Sequence, residues 1–189
     1  MTDATGKPMR KVVLAMFVSL DGFIEGPGKQ MVPPAYSADL DRYWIKPNTD
    51  AGTILYGRVC YELMAVFWTS PQAPQPNAKI LGETPKIVFS RTLQTASWSN
   101  TTIVRDDIAG TVGKFRQQPG KDVILIGGAA IAGEFMRLGL IDEYRLLVSP
   151  LILGAGTPLF PGGIGRISLT LAGVQPFDTG AVLLTYRRA

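Results

Sequence analysis

The 189-residue sequence contains no histidine and a single cysteine, Cys60. Without imidazole there is no Ser-His or Cys-His nucleophile, and a conventional zinc site has lost its usual ligands. One thiol excludes an internal disulfide. Long apolar runs are also missing, since none approaches the roughly 18–20 residues of a membrane span. Residues 12–18 are apolar behind Arg10-Lys11, as a signal peptide would begin. That run is too short, and Ser19-Leu20-Asp21-Gly22 follows where small cleavage-site residues belong, so a cytoplasmic location is expected. Basic runs never exceed the pairs Arg10-Lys11 and Arg187-Arg188. The net charge of +4 is therefore not a nucleic-acid tail, and an anionic small ligand fits it better.

What remains is ordinary globular material, 46% hydrophobic and 18% charged, which suits one α/β domain over residues 1–189. Residues 1–9 read as a polar leader. Apolar runs at 11–18, 52–56 and 123–126 read as buried strands, 86–89 and 101–104 as further short strands, and 141–150 as a strand of mixed pattern. Helices are expected at 36–45, with Ser37 as N-cap, and at 58–67, with Val59, Leu63, Val66 and Phe67 as core stripe. Two more are expected at 106–117 and 129–140, the last with Ile131, Phe135, Met136 and Leu140 inward. The Gly/Pro-rich stretches 19–34 and 154–165 read as loops, and 69–84 as a surface excursion. Alternating runs at 167–175 and 181–186 around Asp178-Thr179-Gly180 form a hairpin. The order implies a parallel sheet with an antiparallel edge. Trp44, Trp68 and Trp98 suit the core better than a stacked ligand, and Met64 and Met136 read as core fill.

Within Asp122–Leu140, DVILIGGAAIAGEFMRLGL, Gly127-Gly128 joins a buried strand to a helix. Such a turn allows close backbone approach, and the helix start leaves N–H groups that favour an anion. A tight turn without a ligand explains the pair equally well, and Gly-Gly alone is not the GxGxxG fingerprint. Tyr56-Gly57-Arg58 and Phe89-Ser90-Arg91 end two other strands. In a parallel sheet the carboxyl ends share one edge, so the three ends converge, with two arginines suited to phosphate oxygens. Taken singly, Arg58 reads as a solvated helix-start residue and Ser90-Arg91 as an ordinary turn.

Five blocks in chain order, MFVSLDGFIEG, ILYGRVCYE, IVFSRTL, VILIGGAAIAGEFM and IDEYRLLVSPLILGAGTPLF, resemble the dihydrofolate reductase-like family. The nearest branch is the C-terminal reductase domain of the bifunctional riboflavin-biosynthesis deaminase/reductase, and the resemblance runs from about Arg10 to Arg187. It implies an α/β fold of three layers, α/β/α, around a mixed, mostly parallel sheet with an antiparallel C-terminal hairpin. It also implies hydride transfer from NADPH to a pteridine- or pyrimidine-type substrate, and a homodimer. By position it implies that Gly57, Arg58, Val59 and Cys60 hold phosphate. Ser90 and Arg91 would hold the adenosine 2′-phosphate, and Gly127, Gly128, Ala129 and Ala130 the pyrophosphate. Ala15 and Ile24 would line the nicotinamide. Cys60 stands where threonine is common, so one hydroxyl contact is lost there, and its thiol reads as a small hydrophobe.

The resemblance also implies an acidic residue on the first helix that promotes protonation. Asp39 fits by its Ala-Asp-Leu context and Asp41 by gap-free spacing to Gly57. Both read equally well as solvated helix-start residues. Asp21, in SLDG, matches an aspartate near the substrate in the riboflavin branch, and it also suits the role of holding the Asp21-Gly22 turn. The chain has no HxE or CxxC signature, so the reductase step alone is expected. The alternative is a non-catalytic NADP(H)-binding protein of the same fold.

Overall fold

The computed structural model describes residues 9–30, 37–40 and 51–189. The sheet is built from β1 (Val12–Ser19), β3 (Thr53–Gly57), β4 (Lys86–Phe89), β5 (Thr101–Val104), β6 (Val123–Gly127), β7 (Glu143–Ser149), β9 (Leu169–Pro176) and β10 (Val182–Arg188). Their order is β5-β4-β3-β6-β1-β7-β10-β9. The first six run parallel, and β10 is antiparallel to both β7 and β9. Two short strands, β2 (Phe23–Glu25) and β8 (Thr157–Pro158), pair outside the main sheet.

Strands this apolar need cover on both faces. Val12, Leu14 and Met16 of β1 point to one side, with Val112 of helix α3 (Ile108–Arg116) and Ile131, Phe135 and Met136 of helix α4 (Ala129–Arg137). Ala15 points to the other. It packs there with Ile54, Tyr56 and Val88, under Tyr61 and Ala65 of helix α1 (Arg58–Trp68) and Leu81 of helix α2 (Asn77–Glu83). On the same face, over β7 and β10, Leu40 packs with Phe17, Leu147 and Leu183. Residues 38–40 are helical, and the Leu40 N–H donates to Ser37 Oγ at 3.1 Å, as the expected cap requires. Asp41, Tyr43 and Trp44 lie outside the described residues.

The face of α1 differs from expectation. Val59, Leu63, Val66 and Phe67 are 49, 51, 74 and 47% exposed, while Tyr61 and Ala65 are 1 and 3% exposed. In RVCYELMAVFW only Arg58 and Glu62 are charged, so no polar side marks the solvent face. The choice is made by a partner remote in sequence. The Tyr61 hydroxyl accepts from the Trp98 N–H at 2.9 Å, and the rings of Tyr56, Tyr61 and Trp98 lie 6.2–6.5 Å apart. Trp98 and Met136 are core residues, as expected.

The excursion 69–84 contains α2, and both Gly/Pro-rich loops contribute a strand, β2 and β8. Short strands of three and two residues carry no periodicity that a sequence could show. The 167–175 run does form β9, but nearly all of it is exposed.

Candidate functional site

Because β5, β4, β3, β6, β1 and β7 are adjacent and parallel, their carboxyl ends form one rim. Gly57 stands opposite Phe89, Phe89 opposite Val104, and Tyr56 opposite Gly127. The residues that follow are therefore neighbours: Arg58, Ser90-Arg91, Arg105 and Gly128. A Cβ on Gly57 would lie 3.1 Å from Ile131 Cγ2, so the starts of α1 and α4 sit side by side. Gly57 and Gly128 are the two N-cap residues, neither helix has a side-chain cap, and neither has an acid in its first turn. By contrast α3 is capped, with Asp107 Oδ1 accepting from the Gly110 N–H at 2.8 Å. The rim thus presents two adjacent sets of N–H groups that no side chain of their own helix satisfies, an arrangement favourable to phosphate.

The peptide between Gly127 and Gly128 is cis, and the two glycines differ in surroundings. Gly127 has φ +120° and its missing Cβ would meet Met16 Sδ at 2.8 Å, whereas nothing lies within 4 Å of a Cβ on Gly128. Gly128 therefore faces open space beside the helix start.

Beside α4 the rim opens into a cavity of about 560 Å³. Phe89, Ile108 and Ile131 supply apolar wall, and Ser90, Arg91, Arg105 and Glu134 supply polar groups. Ser90 Oγ already accepts from the Thr92 and Leu93 N–H groups at 3.2 and 3.0 Å, so toward a ligand it serves as donor. Arg91 Nε donates to Asp106 Oδ1 at 3.1 Å, and both partners are largely exposed. Such a pair is worth roughly 0–1 kcal/mol, so exchanging it for a phosphate costs little. Arg105 was not apparent from sequence. Its signal is the same as that of Arg91, an arginine just past an apolar strand, and its Nη1 donates to the Arg91 carbonyl at 3.2 Å.

Other expected ligands divide. Arg58 forms an exposed pair with Glu62 at 2.9 Å, and Val59 is exposed. Burial pushes the Cys60 thiol up to about 12, which makes it a hydrophobe rather than a nucleophile. Ala15 belongs to the α1-side cluster and Ile24 packs against the α4-side cluster, so their side chains lie on opposite faces of the sheet.

The family model described as RibD C-terminal domain matches residues 10–183. The chain belongs to the RibD C-terminal domain family. It is 34% identical over 180 residues to protein YyaP of Bacillus subtilis (strain 168), covering 94% of each chain. A putative riboflavin biosynthesis protein from Shewanella sp. PV-4 has a similar structure, with a TM-score of 0.75 at 19% identity, covering 95% of this chain and 99% of that one. RibD of Acinetobacter baumannii gives a TM-score of 0.72 at 16% identity, and the match covers 96% of this chain but 58% of that one. These likenesses establish the three-layer α/β fold, and the family is one of riboflavin-pathway reductase-like domains.

In this RibD C-terminal domain Asp21 ties two loops together. Its carboxylate accepts from Ser19 Oγ at 2.6 Å and from the N–H groups of Leu153 and Gly154 at 3.1 and 2.7 Å. Those bonds, the Ser19 hydroxyl foremost, pull its pKa from the ordinary 3.8 down to about 2. At neutral pH Asp21 holds no proton to give, and the geometry makes it the turn-holding residue. Asp39 is exposed. Among the described residues no cluster of His, Cys, Asp and Glu could hold a metal, and no helix is long and apolar enough to cross a membrane.

Asp21→Asn should accelerate amide hydrogen exchange at Leu153 and Gly154. Because the folded pKa is depressed, the stabilisation from this carboxylate is present above pH ~4 and disappears as pH falls toward 2. The variant should lose that acid dependence. Equal exchange rates in parent and variant would remove the tie.

Proposed function

We propose that this protein is an NADPH-dependent reductase acting on a pteridine- or pyrimidine-type heterocycle. The observation that carries the reading is one continuous rim: two uncapped helix starts at Gly57 and Gly128, running into a cavity that holds Ser90, Arg91 and Arg105. The donor set fits a phosphorylated dinucleotide. Gly128, Ala129 and Ala130 with the α1 start would hold the pyrophosphate, and the two arginines with Ser90 the 2′-phosphate. From β4 to β1 is three strand spacings, about 14 Å at ~4.8 Å each, which suits an extended dinucleotide whose reactive end reaches β1.

NADPH supplies the hydride when bound. The chain's own part is to grip the phosphates, orient the ring near β1 and hold the substrate beyond it. Asp39 and Asp41 are the proposed source of the proton, since the Asp21 carboxylate is engaged in tying the two loops together. Location in the cytoplasm belongs to the same proposal.

The test is NADPH oxidation by purified protein with dihydrofolate, a pterin and a 5-amino-6-ribosylaminouracil as acceptors. Arg91→Ala and Arg105→Ala should each raise the NADPH KM roughly tenfold and leave the NADH KM unchanged, the size of one lost charge-assisted hydrogen bond. An unaltered NADPH-to-NADH preference would remove the arginines from the phosphate site. Saturable NADPH binding without oxidation of any acceptor would identify a nucleotide-binding protein of the same fold instead.

A further inference from the structure

Ser149 closes β7 at the rim, directly opposite Ser19 of β1. The residue is 1% exposed, and its Oγ has no hydrogen-bond partner. Its neighbour Ser19 is fully engaged, donating to Asp21 at 2.6 Å and accepting from the Phe23 N–H at 2.9 Å. The Ser149 carbonyl is used too, by the Leu151 N–H at 2.8 Å. Only the hydroxyl is left over. A buried hydroxyl without a partner is unfavourable, and alanine would fill the same space without that penalty.

Position says what the spare group serves. Along β7 Ser149 shares a face with Leu147, and Leu147 packs with Phe17 and Leu40, so Ser149 lies on the face over which the Asp39-bearing segment stands. It is also one strand past β1, where the reactive end of the dinucleotide arrives in the function proposed above, on which this inference rests. A heterocycle receiving hydride there would lie between the β1 end and the β7 end. Pteridine and pyrimidine rings carry carbonyl and N–H groups on their edges, and a serine hydroxyl can accept from one and donate to the other.

We propose that the Ser149 hydroxyl is a substrate-contacting specificity residue that hydrogen-bonds a ring carbonyl or ring N–H of the heterocycle. Discrimination follows because a ring lacking that group leaves both partners unpaired.

Calorimetric titration with dihydrofolate and with a 5-amino-6-ribosylaminouracil, in saturating NADPH, tests it on parent and Ser149→Ala. Expected is a Kd for the bound heterocycle raised roughly five- to thirtyfold, an unchanged NADPH Kd, and a Tm equal to or above that of the parent. With turnover, the substrate KM should rise by the same factor and kcat should hold. Unchanged heterocycle affinity in Ser149→Ala overturns the assignment, and a raised Tm alone would mark the hydroxyl as a packing fault. Binding without turnover would sink the reductase reading but not this one, provided the variant binds more weakly. Failure of the parent to bind either heterocycle overturns the contact itself.

Discussion

A Gly128→Asp variant is expected to fold as the parent does and to lose NADPH affinity by roughly a hundredfold, while Gly127→Ala does the opposite. The Gly128 Cβ position is open and its φ of −80° suits any residue, so a side chain is tolerated by the fold. An aspartate there stands at the α4 start beside the proposed pyrophosphate. Two like charges several ångströms apart near a surface repel by about 3 kcal/mol, which is that hundredfold. Gly128→Ala removes the charge and keeps the bulk, so a smaller loss separates repulsion from crowding. At Gly127 a φ of +120° is strained for any residue with a Cβ, at about 1–3 kcal/mol. The added methyl also displaces the buried Met16 side chain. Gly127→Ala should therefore lower Tm by roughly 4–10 °C, as a chain of this size loses 2–4 °C per kcal/mol. Calorimetric Tm and NADPH titration on both variants decide the matter. Full NADPH affinity in Gly128→Asp would move the phosphate off this helix.

Lys86→Met is expected to cost about 2–3 kcal/mol and to flatten the alkaline stability profile. The residue is 1% exposed, and its Nζ donates to the carbonyls of Leu81 at 2.6 Å, Thr84 at 2.7 Å and Gly82 at 3.3 Å. It also sits 4.4 Å from the Trp98 ring centroid. These carbonyls end α2, where a cation is favoured. Gly82 O keeps other donors, Ser99 Oγ and Asn100 Nδ2, at 2.9 and 3.0 Å. Methionine therefore strips the ammonium donor from the Leu81 and Thr84 carbonyls, at roughly 1–3 kcal/mol each, partly offset by relief of the buried charge. Burial lowers the ammonium pKa from 10.5 to about 8. Between those values the unfolded chain holds the proton and the folded one releases it, so parent stability rises with pH across that window. The variant should show no such rise. A Tm within a degree of the parent at pH 7 would mean that the carbonyls find other partners.

The strands were legible from short runs rich in β-branched and apolar residues, each bounded by turn-forming residues. Lys86–Phe89 and Thr101–Val104 match residue for residue. The α1 face was not legible. Nine of its eleven residues are uncharged and could have faced inward by composition, and the decision rests on a bond between Tyr61 and the backbone of Trp98, 37 residues away. Arg105 was missed because an arginine after a strand means nothing until that strand is known to border the site. Asp21 was legible as a residue of interest but not as a tie, since its partners at Leu153 and Gly154 lie over 130 residues downstream.

By itself the sequence determined the chemistry this chain lacks, the order of its βα units and the family they match. All of these follow from local composition and from neighbours along the backbone. Only the tertiary structure decided which of two similar glycines is packed and which is open, which arginines border one cavity, and which serine hydroxyl is buried without a partner. Those are properties of distances between segments far apart in the chain, and they are set by strand order and register.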